Sequence, residues 1–304
     1  MSSEYGELIG CRDMHFARVI TDNEAAYLAG ENRYLAPSAE ITHESKTEIN
    51  KRHYDNQLMF VTNVEGSTEV KNTVSGVPCK LAAELTGKPY DEAKGIFLDT
   101  GDSNEAPWYA YSGAMDLEGG ARYFQYLKGK FAIGSEVARS KEDNITVNTV
   151  DLTYTPVVTS HKFEMPDGES KPLKAVKADT TDPAFTGADS WFAQVQTPET
   201  LGSPEALSMV SSTPAANATG VTLSTKPKLV FSNPISEESV VLIKNTDNSI
   251  VKLTKAYNDT NTELTLKTTS NLTAGASYTI IISGVKDIYG QELDTTVVSF
   301  TAAS

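Results

Sequence analysis

Cysteine is nearly absent: Cys11 and Cys79 are the only two among 304 residues. Two thiols cannot fill a four-ligand zinc site, and no CxxC pair occurs, so neither a zinc module nor a disulfide-built scaffold is expected. The opening Met-Ser-Ser-Glu-Tyr-Gly-Glu is no basic, apolar leader. On that basis the chain is expected not to be exported through one, and both thiols are expected to be reduced and buried, with a single disulfide as the alternative. Histidine is equally sparse. His15, His43, His53 and His161 are scattered, with no HExxH and no short helical pair to hold a hydrolytic metal. No GxSxG or phosphate-binding loop occurs, and the glycines from Gly113 to Gly120 are too sparse to cradle a phosphate. No apolar run approaches the ~20 residues of a membrane helix.

Basic residues are also short. Lysine and arginine total 26 against 40 acidic residues, a net charge of −14. The deficit is uneven. From Glu205 onward there are nine acidic and seven basic residues, leaving 31 and 19 before it. All six arginines, both cysteines and all four histidines also lie in that first part. An acidic body argues against tight nucleic-acid binding, which needs cations to displace phosphate counterions. It is compatible with lining a passage that DNA crosses without sticking.

What remains is an ordinary globular composition, 39% hydrophobic and 22% charged, in a chain long enough for two domains. The run Thr197-Pro198-Glu199-Thr200-Leu201-Gly202-Ser203-Pro204-Glu205 is rich in turn formers and has no apolar period. It reads as a semi-extended linker, dividing residues 1–196 and 208–304 around 197–207. Downstream, short runs rich in valine, isoleucine and threonine recur at 219–223, 228–232, 239–244, 249–256, 262–268, 277–284 and 294–301. Seven such runs between turn signals predict a sandwich of two antiparallel sheets. No Cys-Trp-Cys pattern is present, which excludes an antibody-type core.

The first part is mostly β as well. Strands are expected at 11–20, 38–49, 58–74, 107–116, 121–133, 144–154, 157–164, 171–178 and 189–196. In 58–74, Phe60, Thr62, Val64, Thr68, Val70 and Val74 share one face, with Asn63, Glu65, Ser67, Glu69 and Lys71 on the other. Glu40, Thr42, Glu44, Lys46 and Glu48 form a polar face of the partner strand. The stretch from His43 to Gln57 is long and polar and reads as an extended hairpin tip. Pro78 and Gly87 bracket one short helix whose Val77, Leu81 and Leu85 share a face.

Three sequences suggest chemistry. Apolar residues before Asp99-Thr100-Gly101 resemble the catalytic turn of aspartic proteases, but two aspartates must share a proton there and no second copy occurs. A solvated turn is the competing reading. Asp99, Asp102, Asn104 and Glu105 suggest calcium, yet Gly101 stands where a ligand is needed. Trp108, Tyr109, Tyr111, Tyr123, Phe124, Tyr126 and Phe131 would make a platform for stacked bases only beside a basic groove. Core and interface packing is the stronger reading for them. No catalytic, cofactor or metal set is therefore expected.

Two resemblances complete the reading. Ser211-Ser212-Thr213-Pro214, Pro227-Lys228-Leu229-Val230-Phe231, Gly284-Val285-Lys286-Asp287-Ile288-Tyr289-Gly290 and the closing Thr296-Val297-Val298-Ser299-Phe300-Thr301 resemble bacterial Ig-like domains. Gly10-Cys11-Arg12-Asp13-Met14-His15-Phe16-Ala17-Arg18-Val19, Ala83-Glu84-Leu85-Thr86-Gly87, Arg122 to Ala132 and Trp191-Phe192 resemble the major tail proteins of long-tailed bacteriophages. That second resemblance implies a β-sandwich or barrel with one flanking helix, six copies per ring, and rings stacked into a hollow tail tube. It also implies assembly in the host cytoplasm, location in the virion, tape-measure, tail-terminator and distal tail proteins as partners, and DNA in the lumen without specific binding. Glu40, Glu44, Glu65 and Glu69 are then expected to face the lumen, with outer solvent as the alternative. His43, Lys46, Glu48, Lys51, Arg52 and Tyr54 are expected in a ring-to-ring loop. The Ig-like module would decorate the exterior, with weak contact to a host surface. A bacterial surface or adhesion protein is the rival reading, and the protease comes third.

Overall fold

The computed structural model describes residues 6–101, 106–136 and 149–304, without the side chains of residues 65, 135 and 136. The chain forms two compact units, Met1–Ser203 and Pro204–Ser304.

The first unit is built on a nine-stranded sheet. Its main strands are β1 (Leu8–Asp22), β2 (Ser38–Tyr54), β3 (Gln57–Val74), β4 (Tyr109–Leu117), β5 (Gly120–Glu136), β6 (Val150–Val157) and β7 (Ala175–Asp179). Their order is β1-β4-β5-β6-β3-β2, with β7 beside the first half of β5 and short strands at 27–29 and 33–34 beside β1. The sheet curls until its ends approach, and the Ile41 backbone of β2 reaches the Cys11 thiol of β1. Period-two alternation drives the curl: Met14 and Phe16, Val70 and Val74, Tyr109 and Tyr111, Phe124 and Tyr126, Leu152 and Tyr154 all point into one core. The expected aromatic platform is mostly this core. Phe131 packs 4.8 Å from Tyr154 and 5.3 Å from Tyr111 between ring centroids, so neither face is free for a base. Trp108 alone is well exposed, beneath the Lys128 and Lys130 ammonium groups.

β4 is buried on both faces, because residues 158–200 cover the sheet's second side. There Ala17, Ala110, Leu127 and Phe163 form one cluster, and Ala114, Tyr123 and Trp191 another. The strand expected at 189–196 is not one. Ala188–Ser190 is a 3-10 turn, and the Gln196 amide donates to the carbonyls of Ser190, Trp191, Gln194 and Gly202. A side chain that consumes local carbonyls leaves none for a sheet ladder. The same contacts fold 197–202 into a compact turn rather than an extended linker, with Thr197 buried and bonded to Thr200.

Helix α1 (Cys79–Thr86) follows Pro78, which suits a first-turn position, and stops at Gly87, whose φ of 70° is left-handed. Leu85 is fully buried, with Val77 and Leu81 packed beside it. Both cysteines are unpaired; Cys11 is half-buried, but Cys79 is exposed rather than buried. No helix among the described residues is long and apolar enough to cross a membrane.

The second unit is a sandwich. One sheet runs β8 (Met209–Thr213), β10 (Lys228–Phe231), β14 (Glu263–Thr268), β13 (Leu253–Tyr257). The other runs β9 (Ala218–Val221), β16 (Thr296–Ala302), β15 (Ser277–Asp287), β11 (Ile235–Lys244), β12 (Ser249–Val251). Leu229, Phe231, Leu242, Leu264, Ile280 and Phe300 are among the residues filling the space between. Two details depart from the sequence reading. The run at 249–256 is two strands in different sheets, and β9 pairs β16 in parallel rather than antiparallel.

Candidate functional site

The feature of the first unit that has no role in its own core is the outer part of the β2–β3 hairpin. Both strands begin rooted. Thr68, Val70, Asn72 and Val74 are buried, the Asn72 amide donates to the Tyr111 hydroxyl at 2.9 Å, and Lys174 Nζ donates to Thr68 Oγ1 at 3.2 Å. At Gly66 the two strands come so close that a Cβ would lie 2.7 Å from the Lys46 carbonyl oxygen. Beyond that point β2 and β3 pair only with each other, and every described side chain is exposed. The tip is a two-residue turn in which Asp55 and Asn56 take φ of 49° and 61°. Asp and Asn tolerate the left-handed region, and such a turn matches the twist of its strands.

The expected loop over 43–57 is therefore mostly strand. Its polar composition hid the ladder, which the backbone alone makes. Strand register sorts the arm's side chains. Glu48, Asn50 and Arg52 stand opposite Val64, Thr62 and Phe60, and the Tyr54 ring meets Phe60 edge-on at 5.9 Å. Ile49, Lys51 and His53 stand on the other face, opposite Asn63, Val61 and Leu58. Both faces thus carry apolar groups: Tyr54, Phe60 and Val64 on one, Ile49, Leu58 and Val61 on the other, each 45–58% exposed. A two-stranded ribbon has little stability of its own in water, and contiguous exposed apolar surface marks an interaction site. Lys46, Lys51 and Arg52 against Glu48 and Asp55 make residues 46–64 net +1 in a chain of −14.

Of the six residues expected in the loop, Lys46, Glu48, Lys51, Arg52 and Tyr54 stand on this arm. His43 does not. Its Nδ1 lies 2.9 Å from the Tyr126 hydroxyl and its ring meets Phe124 edge-on at 4.7 Å, at the root. Burial, with Lys177 nearby, holds its pKa down to about 4. The unfolded chain takes up that proton near pH 6.5, whereas the folded one refuses it until about pH 4. Stability carried by neutral His43 is complete above pH 6.5 and lost as pH falls toward 4. Thermal melts should show the first unit losing about 1–2 kcal/mol between pH 7 and 5, and His43→Phe should flatten that part of the slope.

Three of the expected lumen glutamates, Glu40, Glu44 and Glu69, lie on the solvated face of the rooted part, whereas Glu65 lies beyond Gly66, past a slip in the ladder. Glu40 is exposed, Glu44 pairs with Lys71 at 3.0 Å, and Glu69 lies 3.7 Å from Lys46. Glu65 is placed by its backbone opposite Thr47. Thr73 donates to Asp151 at 3.0 Å beside them, so the face alternates charges rather than presenting bare carboxylates. β2 is also the last strand of its sheet, leaving its outer backbone edge unpaired among the described strands.

The remaining candidates stay apart. Asp99 is in an exposed turn, its carboxylate held below the usual range by Lys88 at 2.5 Å and by the Gly101 N–H. Asp102, Asn104 and Glu105 lie outside the described residues. His15 stacks on Phe192 at 4.4 Å and its Nδ1 donates to the Asp13 carbonyl at 2.8 Å, while His161 meets Phe163 edge-on. No cluster of His, Cys, Asp and Glu able to hold a metal occurs among the described residues. Sequence reading missed Leu58, Met59, Phe60 and Val61 as functional. Four consecutive apolar residues break a period of two and were the available signal.

Comparison with known proteins bears on the second unit. No curated protein matches the chain. Among solved structures, the N-terminal part of the bacterial S-layer protein SbsC matches at 19% identity over 32% of this chain and 24% of that one, with a TM-score of 0.27. CopC from Methylosinus trichosporium OB3b matches at 22% identity over 32% of this chain and 93% of that one, with a TM-score of 0.28. Residues 203–302 match the family described as bacterial Ig-like domain, so the C-terminal unit of this chain is a bacterial Ig-like domain.

Proposed function

We propose that the chain is a structural subunit of a phage tail tube. Copies join into rings, rings stack into a hollow tube that conducts DNA, and the Ig-like domain is displayed outside. The observation that carries this reading is the β2–β3 arm, apolar on both faces and longer than its own core requires. Such an arm is completed by lying between other copies. The unpaired edge of β2 supports the same reading, because an edge that would invite aggregation in a monomer serves as a joint in an assembly. A head-to-tail contact whose rotation closes makes a ring. The resemblance of residues 6–196 to tail-tube subunits supplies the number six.

The solvated face bearing Glu40, Glu44 and Glu69 is then the lumen wall. Its lysine–glutamate pairs give a wall that neither binds phosphate strongly nor repels it beyond the ~8–10 Å screening length. Negative-stain microscopy of the concentrated full chain tests the proposal. Tubes or stacked rings are expected; a dispersed monomer at all concentrations would overturn it. A second reading, a surface or adhesion protein, is favoured by the Ig-like domain, and it predicts that monomer.

A further inference from the structure

The outer face of the sheet β9-β16-β15-β11-β12 carries an aliphatic patch bordered by the exposed Lys252, which follows β12. Register places Val241, Ile281 and Val297 in one row across three strands, and Ile250 and Ile243 in the next. The intervening side chains are serine and threonine, several satisfied by one another. Thr279 pairs with Ser299 at 3.1 Å and Ser277 with Thr301 at 3.0 Å. Val297 is 54% and Ile250 73% exposed. In a chain that is 22% charged, a solvated sheet face would be interleaved with lysine and glutamate.

The chemistry of the patch narrows its occupant. It has no aromatic ring on which a sugar could stack and no carboxylate for a basic surface, and the bordering Lys252 is too little for a polyanion, which needs several cations. What fits is another neutral aliphatic sheet face. We propose that this face pairs, about a two-fold axis, with the same face on a second copy of the chain. Charge favours that occupant. Two copies carrying −14 each repel one another over their acidic first units, while the second unit carries a net of only −2. Four strands about 4.8 Å apart and four rows about 7 Å apart give roughly 300–540 Å² per partner, below a standard stable interface. The contact is therefore weak between free molecules and effective where copies are held close together. It does not depend on the tube reading.

Cysteine capture in the full chain tests it, with Cys79→Ser removing the exposed native thiol. Ile281→Cys sits mid-patch, so an axis near the patch centre, as needed to bury the whole face, brings the two thiols within reach of a short bis-maleimide. Val210→Cys, on the other sheet and 63% exposed, is the control. Ile281→Cys should yield about tenfold more covalent dimer than Val210→Cys. Adding Val297→Lys should abolish that excess, since the ammonium would be stripped of water. Ile250→Lys gives the same loss by an independent route, and an unchanged melting curve shows either variant to be folded. Equal capture at both cysteines, yield insensitive to both lysines, or no dimer overturns the proposal. Dimer capture without tubes would leave it standing while the tube reading fell.

Discussion

A chain carrying Leu58→Asp and Phe60→Asp should remain folded yet fail to form tubes at concentrations where the parent forms them. The two residues lie on opposite faces of the arm and are 48% and 58% exposed. Neither touches the core of the first unit, so its melting curve should be unchanged. Their cost is confined to assembly. Burying an unpaired carboxylate in an apolar contact costs at least about 2–4 kcal/mol, and two of them raise the concentration needed for assembly by about a thousandfold or more. Pelleting and negative-stain microscopy read the outcome. Tubes from the double variant at the parental concentration would remove the arm from the assembly contact. Ser67→Asp, at the exposed rooted end of the same strand, should leave assembly intact if the arm alone is covered.

Much of the fold was legible because its signals are local. Pro78 and Gly87 bracket the helix by fixing backbone angles, and Val70 and Val74 mark the core face of β3 by simple alternation. The same alternation misled further out. Phe60, Thr62 and Val64 share the sequence parity of Val70, but the ladder slips at Gly66, so they stand opposite Arg52, Asn50 and Glu48 on the other face, where no second layer covers them. A period of two holds only while a strand stays regular, and a bulge reverses it. The arm's partner strand was read as a loop for the converse reason, since residues exposed on both faces need show no period at all. Trp191 and Phe192 suggested a closing strand, and Trp191 is indeed buried. Its segment is held by amide bonds from Gln194 and Gln196, which no hydrophobic pattern records. His43 is polar in sequence and packed in space, its place decided by Phe124 and Tyr126, some eighty residues away.

Asp22→Ala should destabilise the first unit by about 3–5 kcal/mol, the expected cost of breaking a buried ion pair by removing one partner. Asp22 ends β1 with its side chain only 4% exposed, and its carboxylate meets Lys128 Nζ of β5 at 2.5 Å. It also accepts the backbone N–H groups of Ser160 and His161, each at 2.9 Å, where the covering segment leaves β6. Burial alone would raise this carboxyl, but Lys128 and the two N–H groups outweigh it and hold the pKa below its usual value. Alanine leaves a half-buried ammonium over the Trp108 ring and two donors without their acceptor. Asp22→Asn keeps an acceptor and loses only the charge, so it should cost less. Because the depressed carboxyl stabilises the folded state above its unfolded pKa and loses that effect in acid, the gap between parent and Asp22→Ala should narrow as pH falls below about 4. Denaturant melts followed by tryptophan fluorescence report the first unit alone, since Trp108 and Trp191 both lie there. A shift under about 1 kcal/mol at pH 7 would mean that water replaces Asp22, and that the covering segment is held to the sheet by Phe163 and Trp191 rather than by this ion pair.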